Sequence, residues 1–260
     1  MLLTTPIRSV LTALVMLLAA TSARAQGPWH YLNKADMPPG VIGLRQLERG
    51  GPLPGYFQPV EVTAPEGTLI SLAAEGGFAD AQQEKTLAGM LIGQVYRLRV
   101  SNIKFREGEE VFPTIEVIDR LYPPPGQAAR FPIPIELTDE ELKMALDGQY
   151  VLRVIYVENP RTALPVRDEP GKQRYSEIGT GQDAMMAADR LGRPVAILRM
   201  GSRVPIAGEA DPQFLYQNPP VQLFEKPAVL PRQAGLEPPL AAPPQLGRPS
   251  RNFPRERLLR

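Results

Sequence analysis

LIGQVYRLRVSNIKFREGEEVFPTIEVIDRLY, residues 91–122, carries the most regular alternation of side-chain type in the chain. Successive side chains of an extended strand point to opposite faces, so Tyr96, Leu98 and Val100 share one face and Arg97 and Arg99 the other. After a charged connection, residues 104–110 with Gly108 at its tip, alternation resumes with Ile115 and Val117 opposite Glu116. The stretch reads as two paired strands, each with one dry and one wet face.

Working outward towards the N-terminus, residues 59–63 and 68–72 flank Ala64-Pro65-Glu66-Gly67, a turn signal, and the pair reads as a hairpin. Residues 74–90, with Gly76-Gly77 and the polar run DAQQEK, show no firm period and read as a loop with at most one short helical turn. Residues 26–55 are broken by Pro38-Pro39-Gly40 and by glycines between 50 and 55. Trp29, Tyr31, Val41, Ile42 and Leu44 are too apolar for a free tail, so an extended arm docked on the domain is expected.

Towards the C-terminus, Tyr122-Pro123-Pro124-Pro125-Gly126 stops the strand, and the alternate prolines of Phe131-Pro132-Ile133-Pro134-Ile135 suit only an edge strand or an extended crossover. Residues 138–147 form the clearest helix: Thr138 caps it, Glu141 closes a capping box, and Gly148 ends it. Residues 149–158, QYVLRVIYVE, are apolar on both faces except at Arg153 and read as a central strand. A polar loop over 161–182, a short helix over 183–191 and a last strand over 194–203 follow. The fold class is therefore an all-β, antiparallel β-sandwich, with an immunoglobulin-like arrangement as one form it could take. Roughly seven strands are expected between residues 56 and 203, with two short helices in the connections.

Both ends read differently. Residues 1–25 place Arg8 before the apolar run 10–20 and end in Ala23-Arg24-Ala25, the pattern of a cleaved signal peptide. With it removed, no membrane-spanning segment is expected, because a span needs about 20 apolar residues. From Val204 the prolines recur so often that polyproline II segments in a disordered tail, residues 204–260, are the expected state. The tail closes with Arg248, Arg251, Arg255, Arg257 and Arg260 against Glu256 alone.

Composition narrows the chemistry. The 260 residues include 30 prolines, one histidine and no cysteine, and the formal net charge of +1 becomes −1 without the two arginines of the leader. A disulfide framework, a thiolate metal site and a cysteine nucleophile are excluded, and His30 alone in an N-terminal arm makes a poor base or ligand. Phosphate-loop, dinucleotide, hydrolase-elbow, EF-hand and zinc-protease signatures are absent from the sequence, and no cofactor is expected.

Glycoside hydrolysis needs only two carboxylates, and Glu116, Asp119 and Glu158 at or near central strands are its candidates. Arg97, Arg99, Arg120 and Arg153 lie close enough to neutralise them as cross-strand ion pairs. Glu107, Glu109 and Glu110 around Gly108 are the candidate oxygen ligands for a metal. The terminal arginines suit an anionic envelope polymer, a lipid surface or a protein partner, and the leader argues against nucleic acid. The expected function is a non-catalytic, exported binding or structural module of the cell envelope. A carboxylate-dependent, carbohydrate-active enzyme and a β-rich subunit of a larger exported assembly are the alternatives.

Overall fold

Eleven strands form among the residues that the computed structural model describes, 32–163, 173–206 and 211–224. In chain order they are β1 (Phe57–Thr63), β2 (Leu69–Ala74), β3 (Gly77–Phe78), β4 (Gln82–Gln83), β5 (Lys85–Leu91), β6 (Val95–Ser101), β7 (Thr114–Val117), β8 (Ile133–Glu136), β9 (Val151–Glu158), β10 (Gly192–Met200) and β11 (Val221–Leu223). Three α-helices accompany them among the described residues, α1 (Val41–Glu48), α2 (Asp139–Leu146) and α3 (Ala184–Leu191), with one 3-10 turn at Ala128–Arg130. The leader 1–25, Trp29, His30, Tyr31 and the terminal arginines lie outside the described residues. Among those that are described, no helix is long and apolar enough to cross a membrane.

Two sheets form a sandwich. The smaller has the order β11-β5-β1-β8; the larger runs β3-β2-β6-β7-β10-β9, with β4 also on β2. Val60, Val62 and Met90 of the smaller sheet meet Tyr96, Leu98, Ile115 and Leu198 of the larger in one apolar core. Each such side chain stabilises the fold by about 1.5–3 kcal/mol relative to exposure. β6 and β7 pair antiparallel in the register that the alternation demands, Tyr96 opposite Ile115 and Arg97 opposite Thr114.

Local signals held where they were self-contained. Thr138 accepts from the Glu141 N–H while the Glu141 carboxylate accepts from the Thr138 N–H, so the capping box on α2 is complete. β8 is an edge strand, as its prolines require. Its outer side is covered by one side chain: Gln173 donates to the Pro134 carbonyl at 3.0 Å and accepts from the Glu136 N–H at 3.1 Å, the two bonds a neighbouring strand would make.

Several expectations are corrected. β1 and β2 are not a hairpin: β1 pairs antiparallel with β5 and parallel with β8, whereas β2 pairs with β3, β4 and β6. The turn closed by the Thr68 N–H on the Pro65 carbonyl carries the chain from one sheet to the other, and a turn fixes direction, not partner. Residues 74–90 are no loop. β5 lacks alternation because close approach replaces large side chains there: a Cβ on Gly89 would lie 2.8 Å from Phe224 and 3.1 Å from Phe57.

Residues 41–48 are helical rather than extended, burying Ile42, Gly43 and Gln46 behind the Pro38-Pro39-Gly40 break. β9 is an edge, not a centre: the core covers one of its faces and α3 the other, so both read as apolar.

The last correction concerns residues 211–224, expected as polyproline II. They fold as a strap, with Phe214 and Leu215 buried and β11 paired to β5. Tyr96 ties the strap down. Its hydroxyl accepts from the Leu91 N–H and donates to the Pro220 carbonyl, both at 2.8 Å.

Burial pushes the Tyr96 phenol up to about 12, so the fold favours its neutral form. That contribution is complete below about pH 10, the unfolded value, and is lost as pH rises through the folded one. Ultraviolet titration of tyrosinate should show a step near 12 that disappears in Tyr96→Phe. Because the variant leaves the Leu91 N–H without its acceptor, urea unfolding at neutral pH should report a loss of about 1–3 kcal/mol.

Candidate functional site

Arg97 of β6 and Arg199 of β10 face away from the core, and the register sets them in a row with Thr114 of β7. Arg97 on β6 lies opposite Thr114 on β7, which lies opposite Arg199 on β10. This outer face is covered twice. At one end the segment before α1, α1 and α3 pack Ala35, Ile42 and Met185 against Ile197 of β10; at the other the strap packs Phe214 and Leu215 against Ala73 and Phe112. Between the two covers lies a cleft of about 320 Å³ whose lining includes Arg97, Thr114 and Arg199, with Pro39, Tyr150 and Tyr216 around them.

Arg199 is neutralised within the fold. It is 4% exposed, and its Nη1 lies 2.8 Å from Oε2 of Glu116, which is fully buried at 0%. The other Glu116 oxygen accepts from the Gly43 N–H at 2.9 Å. α1 begins at Gly40 and has no side-chain cap of its own, so a carboxylate from β7 serves its N-terminus, where negative charge is favoured. Gly43 must be glycine for this contact, since a Cβ there would fall 2.7 Å from the Gly93 Cα. Arg199 Nη2 reaches the Ala35 and Met37 carbonyls at 3.5 and 3.4 Å, and its Nε has no hydrogen-bond partner among the described residues.

Arg97 differs. It is 5% exposed, with Nε donating to the Phe214 carbonyl at 3.0 Å and Nη1 to the Phe112 carbonyl at 2.8 Å. Its guanidinium stacks 4.3 Å from the Phe214 ring centroid and 5.0 Å from that of Tyr216. No carboxylate among the described residues pairs with it. Burial draws its pKa below the ordinary guanidinium value and the nearby Arg203 charge acts the same way, while Tyr216 opposes both. An arginine remains charged even so. Arg203, exposed on the cleft wall, lies 5.7 Å from the Phe214 ring.

Among the described residues the cleft thus holds two cations without counter-charge, and no Asp or Glu lines it. Tyr216 is set there by an uncommon backbone: Tyr216, Gln217 and Asn218 have φ of 50°, 60° and 49°, a left-handed run that costs about 1–2 kcal/mol per residue. The buried Phe214 and Leu215 and the Gln217 N–H bond to the Pro212 carbonyl at 2.7 Å hold it.

The acids singled out from sequence are not gathered into one place. Glu116 pairs with Arg199, Asp119 pairs with Arg193, and Glu158 is exposed at the end of β9. Their partners are not the arginines expected: Arg97 binds carbonyls, Arg153 pairs with Glu141 at 2.9 Å, and Arg99 lies 3.9 Å from Glu110. Glu109 lies 3.7 Å from Arg106, and Glu107 is exposed. Among the described residues no three acidic, imidazole or thiolate groups converge as metal ligands would. Arg248, Arg251, Arg255, Arg257 and Arg260 fall outside the described residues. Sequence reasoning missed Tyr150, Arg203 and Tyr216. The one signal was Phe214-Leu215-Tyr216, an apolar run between prolines in a segment otherwise without one.

Removing one member of a buried ion pair leaves the other charged and dry, at a cost of about 3–5 kcal/mol. Denaturant unfolding should therefore show Arg199→Met and Glu116→Ala each destabilised by about that amount, whereas Glu158→Gln should leave the midpoint unchanged.

No family model, curated protein or solved structure matches the chain, so the reading of the cleft rests on its own residues.

Proposed function

We propose that the protein is an exported, non-catalytic module of the cell envelope that holds a ligand rather than converting one. The observation that carries this reading is the cleft beside Arg97: a buried cation that, among the described residues, has no carboxylate partner and no acid in the wall around it. The candidate acids support it from the other side. A general acid or nucleophile must reach its substrate, and Glu116 is fully buried between Arg199 and the start of α1. Export is read from residues 1–25, and the proline-rich end is read as a spacer whose terminal arginines meet anionic envelope polymers or lipid head groups. The layering of two sheets is what supports an immunoglobulin-like arrangement of the strands.

A second reading, a subunit of an exported assembly, is favoured by β11. It is one of the two edge strands of the smaller sheet among the described residues, and Leu223 on it is 74% exposed.

The purified protein should show no turnover of polysaccharide or peptide substrates above background; turnover that is lost in Glu116→Gln or Glu158→Gln would overturn the proposal. Cells producing a form that ends at Leu246 should retain less of it in the envelope fraction than the full chain, with the difference disappearing in high salt. Equal retention at both salt levels would remove the electrostatic anchor.

A further inference from the structure

Resting on the reading as a binding module, we propose that the cleft between the strap and α1 takes an acidic sugar, a saccharide unit carrying one carboxylate or phosphate group. The acid is the part that the charge pattern demands. Arg97 has five N–H groups, of which the Phe214 and Phe112 carbonyls engage two, while the Tyr216 ring centroid lies 5.0 Å from the guanidinium. Both acceptors are neutral, so N–H capacity and one full positive charge remain. Arg203 adds a second cation close enough to disfavour the first. An anion between them relieves that repulsion and forms charge-assisted hydrogen bonds in a site shielded by the strap. Arg199 does not compete for it, because Glu116 already balances its charge.

The ring is the part that the walls demand. Tyr150 and Tyr216 line the cleft, and each offers an apolar ring face with a hydroxyl at its tip, a surface matched to a sugar's C–H face and its hydroxyl groups. Ser202 adds another hydroxyl. A volume of about 320 Å³ stands at the lower end of small-molecule sites, enough for one or two sugar units and too little for a lipid tail. Asp36, which acts electrostatically on Tyr150, is not among the lining residues.

Isothermal titration of the purified protein with galacturonate, galactose 1-phosphate, galactose and inorganic phosphate tests this. At least one of the two acidic sugars should bind about tenfold or more tightly than galactose and than inorganic phosphate, with affinity falling as salt is added. Whichever of the two binds better identifies the acid as carboxylate or phosphate. Arg203→Ala, an exposed change that leaves the core alone, should weaken that binding about tenfold, the loss expected of one charge-assisted contact. Tyr150→Ala should weaken the acidic sugar while leaving inorganic phosphate unaffected.

Equal binding of galactose, inorganic phosphate binding as tightly as the acidic sugars, unchanged affinity in Arg203→Ala, or no binding of either acidic sugar would each overturn the assignment. Failure of the broader reading looks different, since it requires product to form during the titration.

Discussion

The ion pair between Glu116 and Arg199 is the contact on which the outer half of the structure depends. Taking two charges out of water costs several kcal/mol per ion, and their attraction offsets this only when the geometry is good and further hydrogen bonds serve the remaining polar atoms. Here the Gly43 N–H fills the second carboxylate oxygen and the Ala35 and Met37 carbonyls face the second guanidinium nitrogen, while Nε has no partner among the described residues. Such a pair adds little net stability over well-packed apolar side chains. What it adds is uniqueness: a single carboxylate fixes where α1 starts, which strand carries it, and how the chain before it crosses β10. A shift of α1 by one residue would strand a buried charge, so alternative packings of this cover are strongly disfavoured.

The strap follows a similar logic with neutral groups. Tyr96 reaches from the core side of β6 to the Pro220 carbonyl, and Arg97, its neighbour on the opposite face, reaches to the Phe214 carbonyl. Two consecutive residues on one strand therefore hold the same distant segment from both sides of the sheet. The cleft is what remains where this cover and the one anchored by Glu116 do not meet. Its position is thus a by-product of two independent attachments to β6, β7 and β10.

How much of this was legible in sequence followed the range of the interaction. The capping box on α2 spans three residues, and the alternation of β6 and β7 is a property of each strand alone, so both were readable. The wetness of the Arg97 face was not, because its cover arrives from a segment 117 residues away. α1 and β5 were hidden for another reason: Gly43 and Gly89 are small because a backbone or a ring presses against them, and a missing side chain leaves no periodic signal. In the candidate site, Arg97 and Glu116 were legible as charged residues on strands, but which charges meet was not: Glu116 pairs with Arg199, and Arg97 has no counter-ion among the described residues.

Gln173 gives the smaller sheet a handedness of reactivity. With its amide standing in for a strand beside Pro134 and Glu136, the β8 border is already saturated, and Arg153 clamps the same amide oxygen at 2.6 Å. Main-chain groups on the β11 border have no such surrogate among the described residues. Among the described residues that layer offers a free border on one side only, a geometry in which two copies would meet about a twofold axis and close rather than stack without end.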